Sequence, residues 1–137
     1  MFKIKFVIFS IFIFLFTFKS ISEINIILKV NQNIITNIDL KEEKKYLTFL
    51  RPSLKQLSED ELVKFSKNSL IREAIKKKEI DLIFKNINEE KLREKLVSRL
   101  IKFKKAKNEE EILKIIEFNK LNYEKVINKL KYEALWN

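Results

Sequence analysis

INIILKVNQNIITNID, residues 24–39, is the stretch on which the fold of this chain depends. Two β-branched runs, Ile24–Val30 and Ile34–Thr36, flank the polar segment Asn31–Asn33. Asparagine tolerates the positive φ that a tight turn requires, so this pattern predicts a β-hairpin. An ordinary strand–turn–strand junction without functional meaning fits the same signals.

From residue 36 onward the pattern is helical. A Ser, Thr or Asn followed three residues later by an acidic residue predicts a helix start, because both side chains bond free backbone amides. Such starts are Thr36 with Asp39, Ser58 with Glu61 and Asn108 with Glu111, while Asn122 caps a last helix. Pro52 ends the first helix, and a break near 86–88 precedes the third. The predicted fold class is mainly α: a short N-terminal β-hairpin and about five helices in one domain.

Apolar residues spaced three and four apart predict the buried faces of these helices. The second helix, from Ser58 to about Lys78, is expected to bury Val63, Leu70, Ile71, Ala74 and Ile75. The third is expected to bury Leu92, Leu96, Leu100 and Phe103. The last helix has the most regular spacing, with Tyr123, Val126, Ile127, Leu130, Ala134 and Leu135.

Residues 1–22 have the pattern of a signal peptide. Lys3 and Lys5 precede the apolar core Phe6–Phe18, which as a helix reaches about 20 Å and falls short of the roughly 30 Å hydrocarbon layer. Small residues at Ser20 and Ser22 predict cleavage after Ser22 and a mature domain over residues 23–137. The expected location is the periplasm, with membrane contact only during export; an uncleaved inner-membrane anchor is the alternative.

The composition excludes most catalytic and cofactor chemistry. The chain has no Gly, His or Cys, so it has no phosphate-binding loop, no Ser-His or Cys-His pair and no thiolate zinc site. We therefore expect no cofactor, no small-molecule substrate and no enzymatic activity. A degenerate enzyme using Glu109–Glu111 has no supporting spacing, because charge runs are mostly solvated helix faces.

The charge of the chain is strongly basic. Its formal net charge of +10 falls to +7 once the signal segment, with three lysines and no acidic residue, is removed. Such a balance suggests nucleic acid as a partner. However, the lysines alternate with glutamates and only four arginines are available for bidentate contacts, so no nucleic-acid partner is expected.

Several motifs follow one another in a defined order along the chain. A strand and an Asn-rich turn lead into the first helix in VNQNIITNIDL, residues 30–40. A helix then carries SLIREAI, with Leu70, Ile71 and Glu73. The segment FNKLNYEKVINKLKYEALW, residues 118–136, has a Leu-Asn-Tyr entry into a basic amphipathic helix. By the order and spacing of these motifs, about residues 24–137 resemble the N-terminal domain of SurA-type periplasmic chaperones.

This resemblance implies a chaperone that binds unfolded outer-membrane proteins and prevents their aggregation. The chain departs from the family at Asn33 and Lys120, where relatives often have Gly, and residues 23–137 are not expected to include the parvulin-type prolyl isomerase domain of longer relatives. We therefore expect no isomerase activity. Because the last helix runs into Trp136 without a stop signal, the chain is expected to be truncated at its C-terminus; a natural terminus with Trp136 packed on the core is the alternative.

Three leucines around Pro52 form the predicted peptide-binding site. Leu50, Leu54 and Leu57 flank a proline that keeps this segment out of the helix, which favours exposed apolar side chains beside a basic surface. Ordinary core packing of the same leucines is equally compatible with the sequence. A different function, an exported helical adaptor that binds a folded partner through its last helix, also stays open.

Overall fold

The computed structural model describes residues 23–30, 32–84 and 87–137 and confirms a mainly α fold with an N-terminal β-hairpin. The elements are β1 (Ile26–Val30), β2 (Asn33–Thr36), α1 (Asn37–Leu50), a 3₁₀ helix (Pro52–Gln56), α2 (Glu59–Ile83), α3 (Glu89–Lys104), α4 (Glu109–Phe118) and α5 (Tyr123–Trp136). The predicted signal peptide, residues 1–22, lies outside the described residues, as does the turn residue Asn31. In the described ranges, no helix combines the length and apolarity needed to cross a bilayer.

The hairpin passes directly into α1 through a capping box. The Asp39 amide donates to Thr36 Oγ1 over 3.3 Å, and the Thr36 amide donates to Asp39 Oδ2 over 2.8 Å. Side chains alternate along β2, so Ile35 is buried while its neighbour Ile34 is exposed. The hairpin therefore packs one face on the helices and begins α1 in a fixed direction.

Side-chain caps begin the remaining long helices where the sequence predicts them. Ser58 forms a second capping box with Glu61, and Asn108 and Asn122 each accept from the backbone amide three residues later. Asn88 caps α3 in the same way through the Lys91 amide, at 2.9 Å. These bonds satisfy amides that have no partner inside the helix.

Lysine occupies two positions where helices usually end with glycine. Lys105 and Lys120 both have φ of 56°, in the left-handed region that is unfavourable for residues with a Cβ atom. After Lys105, the Ala106 amide donates to the Ile101 carbonyl; after Lys120, the Leu121 amide donates to the Ile116 carbonyl. Helices α3 and α4 therefore both end in a left-handed turn that glycine usually forms, although the chain has no glycine.

The core lies between α1, α3, α4 and α5. Ile112 and Ile116 of α4 are completely buried, and Val126 of α5 is 1% exposed. The complete cluster consists of Tyr46, Phe49, Val97, Leu100, Ile112, Ile116, Val126 and Ile127. Every helix except α2 contributes to this cluster, so the apolar burial that stabilises the fold comes mainly from the other four.

Helix α2 differs from its prediction in length and in its buried face. It continues to Ile83 instead of ending near Lys78, and its fully buried side chains are Ser66 and Ile80. Of the five residues predicted to be buried, four are half-buried: Val63, Leu70, Ile71 and Ala74. The prediction was wrong for Ile75, which is 44% exposed. Ion-paired side chains occupy the face of α2 toward α5, and this turns Ile75 away from the core.

A buried ion-pair network joins α1, α2 and α5. Lys129 of α5 bonds Glu43 of α1 over 2.7 Å and also contacts Glu73 of α2. The Glu43 side chain is only 1% exposed, and the Lys129 ammonium lies 5.1 Å from the centre of the Tyr46 ring. Burial lowers the pKa of Lys129, but the two carboxylates raise it by more, so its pKa lies above the ordinary value. Lys129 therefore keeps its charge at neutral pH.

Replacing Lys129 with Met should lower the free energy of unfolding by about 3–5 kcal/mol, because the buried Glu43 carboxylate loses its cation. Lys125 is a matched control, since it pairs with Glu42 between side chains that are 66% and 44% exposed. Lys125→Met should cost less than about 1 kcal/mol. Urea unfolding of both variants measures the difference, and equal small losses would show that the network does not stabilise the fold.

The free energy of unfolding of this protein should fall above about pH 10. Burial and the charges of Glu43 and Glu73 raise the pKa of Tyr46 above its value in the unfolded chain, and the pKa of Lys129 is also raised. Below pH 10 both groups are protonated in both states; above it the unfolded chain loses its protons first, so unfolding becomes easier. Urea titrations at several pH values test this, and Tyr46→Phe should show a smaller decrease. A free energy of unfolding that stays constant from about pH 8 to about pH 11 would contradict this prediction.

Candidate functional site

An open apolar cleft lies where the end of α1 meets α3 and α5. Helix α1 packs mainly against α2, whereas α3 packs mainly against α4 and α5. Leu50 ends α1 and is followed by Arg51, where the backbone leaves the helical conformation. Because α1 and α3 each pack on other partners, a space of about 790 Å³ stays open between them. This volume is within the range of about 300–1,000 Å³ that is typical of binding pockets.

The inner surface of the cleft is formed by aliphatic side chains. Leu96 and Leu100 of α3 are buried at its base, and Leu130 of α5 is half-buried. Phe103, one turn beyond Leu100 on α3, forms a wall and is 59% exposed. The complete lining is Leu50, Arg51, Leu96, Arg99, Leu100, Phe103, Leu130, Glu133, Ala134 and Asn137. A large aromatic side chain is therefore held at the edge of an apolar surface with much of its area in water.

Phe103 is held beside a lysine at the C-terminal end of α3. The Lys104 ammonium lies 4.9 Å from the centre of the Phe103 ring and 3.9 Å from that of Phe49, and it donates to the Phe49 carbonyl. Burial lowers the pKa of Lys104, and the positive charge of Lys55 lowers it further. The C-terminal end of α3 therefore holds a cation beside the aromatic wall.

The charged side chains that line the cleft differ in whether they form ion pairs. Arg51 and Arg99 line it, and no ion pair between described residues includes either of them. Glu133 also lines the cleft, but its carboxylate bonds Lys76 of α2 over 2.8 Å. The positive charge at the cleft is thus free to meet a ligand, while the negative charge is already neutralised.

The structure separates the three leucines of the predicted site. Leu50 packs against the core and lines the cleft. Leu54, in the 3₁₀ helix, is half-buried, and Leu57, just after it, is 36% exposed; neither lines the cleft. A role for Leu54 and Leu57 in peptide binding stays a prediction.

Sequence reasoning missed Phe103, Arg51 and Arg99 as site residues. The spacing after Leu100 placed Phe103 on the buried face of α3, and that prediction was wrong. Phe103 stands between Lys102 and Lys104, and a lone aromatic among lysines at a helix end indicates an exposed rather than a core position. Nothing in the local sequence shows that Arg51 and Arg99, 48 residues apart, line one cleft.

A second cavity, of about 400 Å³, lies between the hairpin, α1, α2 and α5. Its lining includes the ion-paired residues Glu42, Glu43, Glu73, Lys125 and Lys129, whose charges satisfy one another. Across the described ranges, no three acidic side chains come together as metal ligands. This cavity therefore belongs to the structural network, and the apolar cleft is the candidate functional site.

Comparisons of the chain with protein-family models, with curated proteins and with solved structures found no match.

Proposed function

We propose that this protein is a periplasmic chaperone that binds extended segments of unfolded outer-membrane proteins in the apolar cleft and prevents their aggregation. The observation that carries this function is Phe103, an aromatic side chain 59% exposed on the wall of an apolar cleft of about 790 Å³. An exposed apolar surface with a charged rim is typical of polypeptide-binding sites. The resemblance of the motif order to that of SurA-type chaperones supports the same function. No catalytic step is assigned to the cleft.

The chemistry of the cleft favours weak binding without strict sequence requirements. Its base has aliphatic side chains, among them Leu96, Leu100 and Leu130, which attract apolar groups of many shapes. Burying one apolar side chain contributes about 1.5–3 kcal/mol, so two anchor residues support dissociation constants between several millimolar and some tens of micromolar, as rough limits. Such affinities suit a chaperone, because its clients must be released to fold.

The last helix is poorly placed for the alternative function, an adaptor that binds a folded partner. Helix α5 packs against α2, α3 and α4, so most of its surface is already used. Of its large apolar side chains, Trp136 is the exposed one, at 48%. The cleft, by contrast, presents several apolar side chains from three helices on one surface.

Substituting Phe103 tests the function directly. An unfolded outer-membrane protein is diluted from urea, and its aggregation is followed by light scattering with and without this protein. Phe103→Ser should weaken suppression several-fold, because the cleft loses its aromatic wall, while the melting temperature stays nearly unchanged because Phe103 is mostly exposed. Phe118→Ser is the matched control: Phe118 is 87% exposed on α4 and lies away from the cleft.

Three outcomes would change the assignment. If the Phe103→Ser and Phe118→Ser variants suppress aggregation to the same extent as the unchanged protein, the cleft is not the binding site. A Leu54→Ser, Leu57→Ser double variant that alone loses suppression would place the site at the 3₁₀ helix. A protein that leaves scattering unchanged but binds one folded partner would be an adaptor.

The proposed location depends on residues 1–22. Their basic start, apolar core and the small residues Ser20 and Ser22 are expected to direct export and cleavage. N-terminal sequencing of the protein recovered from the periplasm should begin at Glu23. A full-length protein recovered with the inner membrane would instead establish an anchor.

A further inference from the structure

The charge at the cleft carries a second inference, which rests on the proposed function and concerns the client segments that bind. Three cations lie at the cleft, and we call them the cationic rim: Arg51, Arg99 and Lys104. Arg51 and Arg99 line the cleft, and the Lys104 ammonium lies 4.9 Å from the centre of the Phe103 ring.

The cationic rim has no counter-charge of its own. The ion pairs formed between described residues use Lys44, Lys76, Arg93, Lys114, Lys125, Lys129 and Lys131, and none uses a residue of the cationic rim. Other described lysines and arginines also lack an ion pair, so what distinguishes Arg51 and Arg99 is that they line an apolar cleft. Lys104 makes its polar contact with the neutral Phe49 carbonyl, which leaves its charge uncompensated.

We infer that the cleft selects polypeptide segments in which an apolar side chain is flanked by aspartate or glutamate. The apolar side chain contacts Phe103 and the leucines at the base, while the neighbouring carboxylates reach Arg51 and Arg99. Guanidinium groups bind carboxylates through two parallel hydrogen bonds, which gives orientation as well as affinity. Segments with lysine beside the apolar residue are repelled by the same rim.

A polypeptide fits these features better than other anions. The base of the cleft is apolar over several side chains from α1, α3 and α5, whereas a nucleic-acid site needs charge spread along a phosphate backbone. The two arginines line the same cleft as the apolar side chains, so a ligand that uses both must present apolar and anionic groups close together. Acidic and apolar residues adjacent in an extended chain have this arrangement.

The test uses three fluorescent peptides of about ten residues, identical in their central apolar residues and differing only in the flanking residues, which are aspartate, asparagine or lysine. Their dissociation constants for the exported protein are measured by fluorescence anisotropy at low and at high salt. The aspartate peptide should bind about tenfold more tightly than the asparagine peptide at low salt, and the lysine peptide should bind most weakly. At about 1 M salt these differences should shrink to about twofold or less.

Charge variants test whether Arg51 and Arg99 cause the preference for the aspartate peptide. In an Arg51→Gln, Arg99→Gln double variant, the aspartate and asparagine peptides should bind equally, with the asparagine peptide unaffected. Arg72→Gln is the control: Arg72 is exposed on α2, outside the cleft, and its loss should leave the tenfold preference unchanged. The peptide series on the unchanged protein already decides the preference, so the inference does not depend on the folding of any variant.

The outcomes separate this inference from the proposed function. If all three peptides bind with the same affinity, the cleft binds polypeptide but the inference on acidic segments is wrong. If none binds, the proposed function fails as well. Displacement of the aspartate peptide by decanoate at a lower concentration than by unlabelled peptide would identify the cleft as a fatty-acid site and overturn the inference.

Discussion

The contact of Lys129 with Glu43 and Glu73 is the interaction on which the arrangement of the helices depends. It joins the last helix to the first and the second, across 86 and 56 positions of the sequence. Because Glu43 is nearly inaccessible to water, its charge is tolerable only with Lys129 in place. The network therefore sets the register of α5 against α1 and α2, while the apolar core around Ile112 and Ile116 supplies most of the burial.

The position of α5 explains why the cleft exists. One side of helix α5 binds α2 through the Glu133–Lys76 ion pair, and another side packs against α3. Helices α1 and α3 both pack mainly on other partners, so a cleft stays open beside Leu50, Phe103 and Leu130. The same geometry neutralises Glu133 and leaves Arg51 and Arg99 unpaired among the described residues. The apolar surface and the positive charge of the candidate site thus follow from one packing arrangement.

Local signals in the sequence predicted the elements well, and long-range contacts explain what they missed. The hairpin and the caps at Thr36, Ser58, Asn108 and Asn122 depend on residues within a few positions, and all four caps are confirmed. The exposure of Ile75 and Phe103 depends on which surfaces other helices occupy, and apolar spacing alone does not contain that information. Of the predicted binding residues only Leu50 lines the cleft, because most of its other lining residues come from α3 and α5, which lie far away in the sequence.

The shallow burial of α2 has a consequence for how the protein opens. Only Ser66 and Ile80 of its 25 residues are buried, and two of its ion pairs to other helices involve exposed carboxylates, those of Glu59 and Glu133. Such exposed pairs contribute little to stability, whereas the core cluster lies entirely on other helices. The Glu73–Lys129 contact is the part of the buried network that holds α2 in place. Native proteins open in cooperative units of unequal stability, and those with the least apolar burial open first. Once that contact breaks, helix α2, with the hairpin that packs on it, is the unit expected to separate before the core cluster opens.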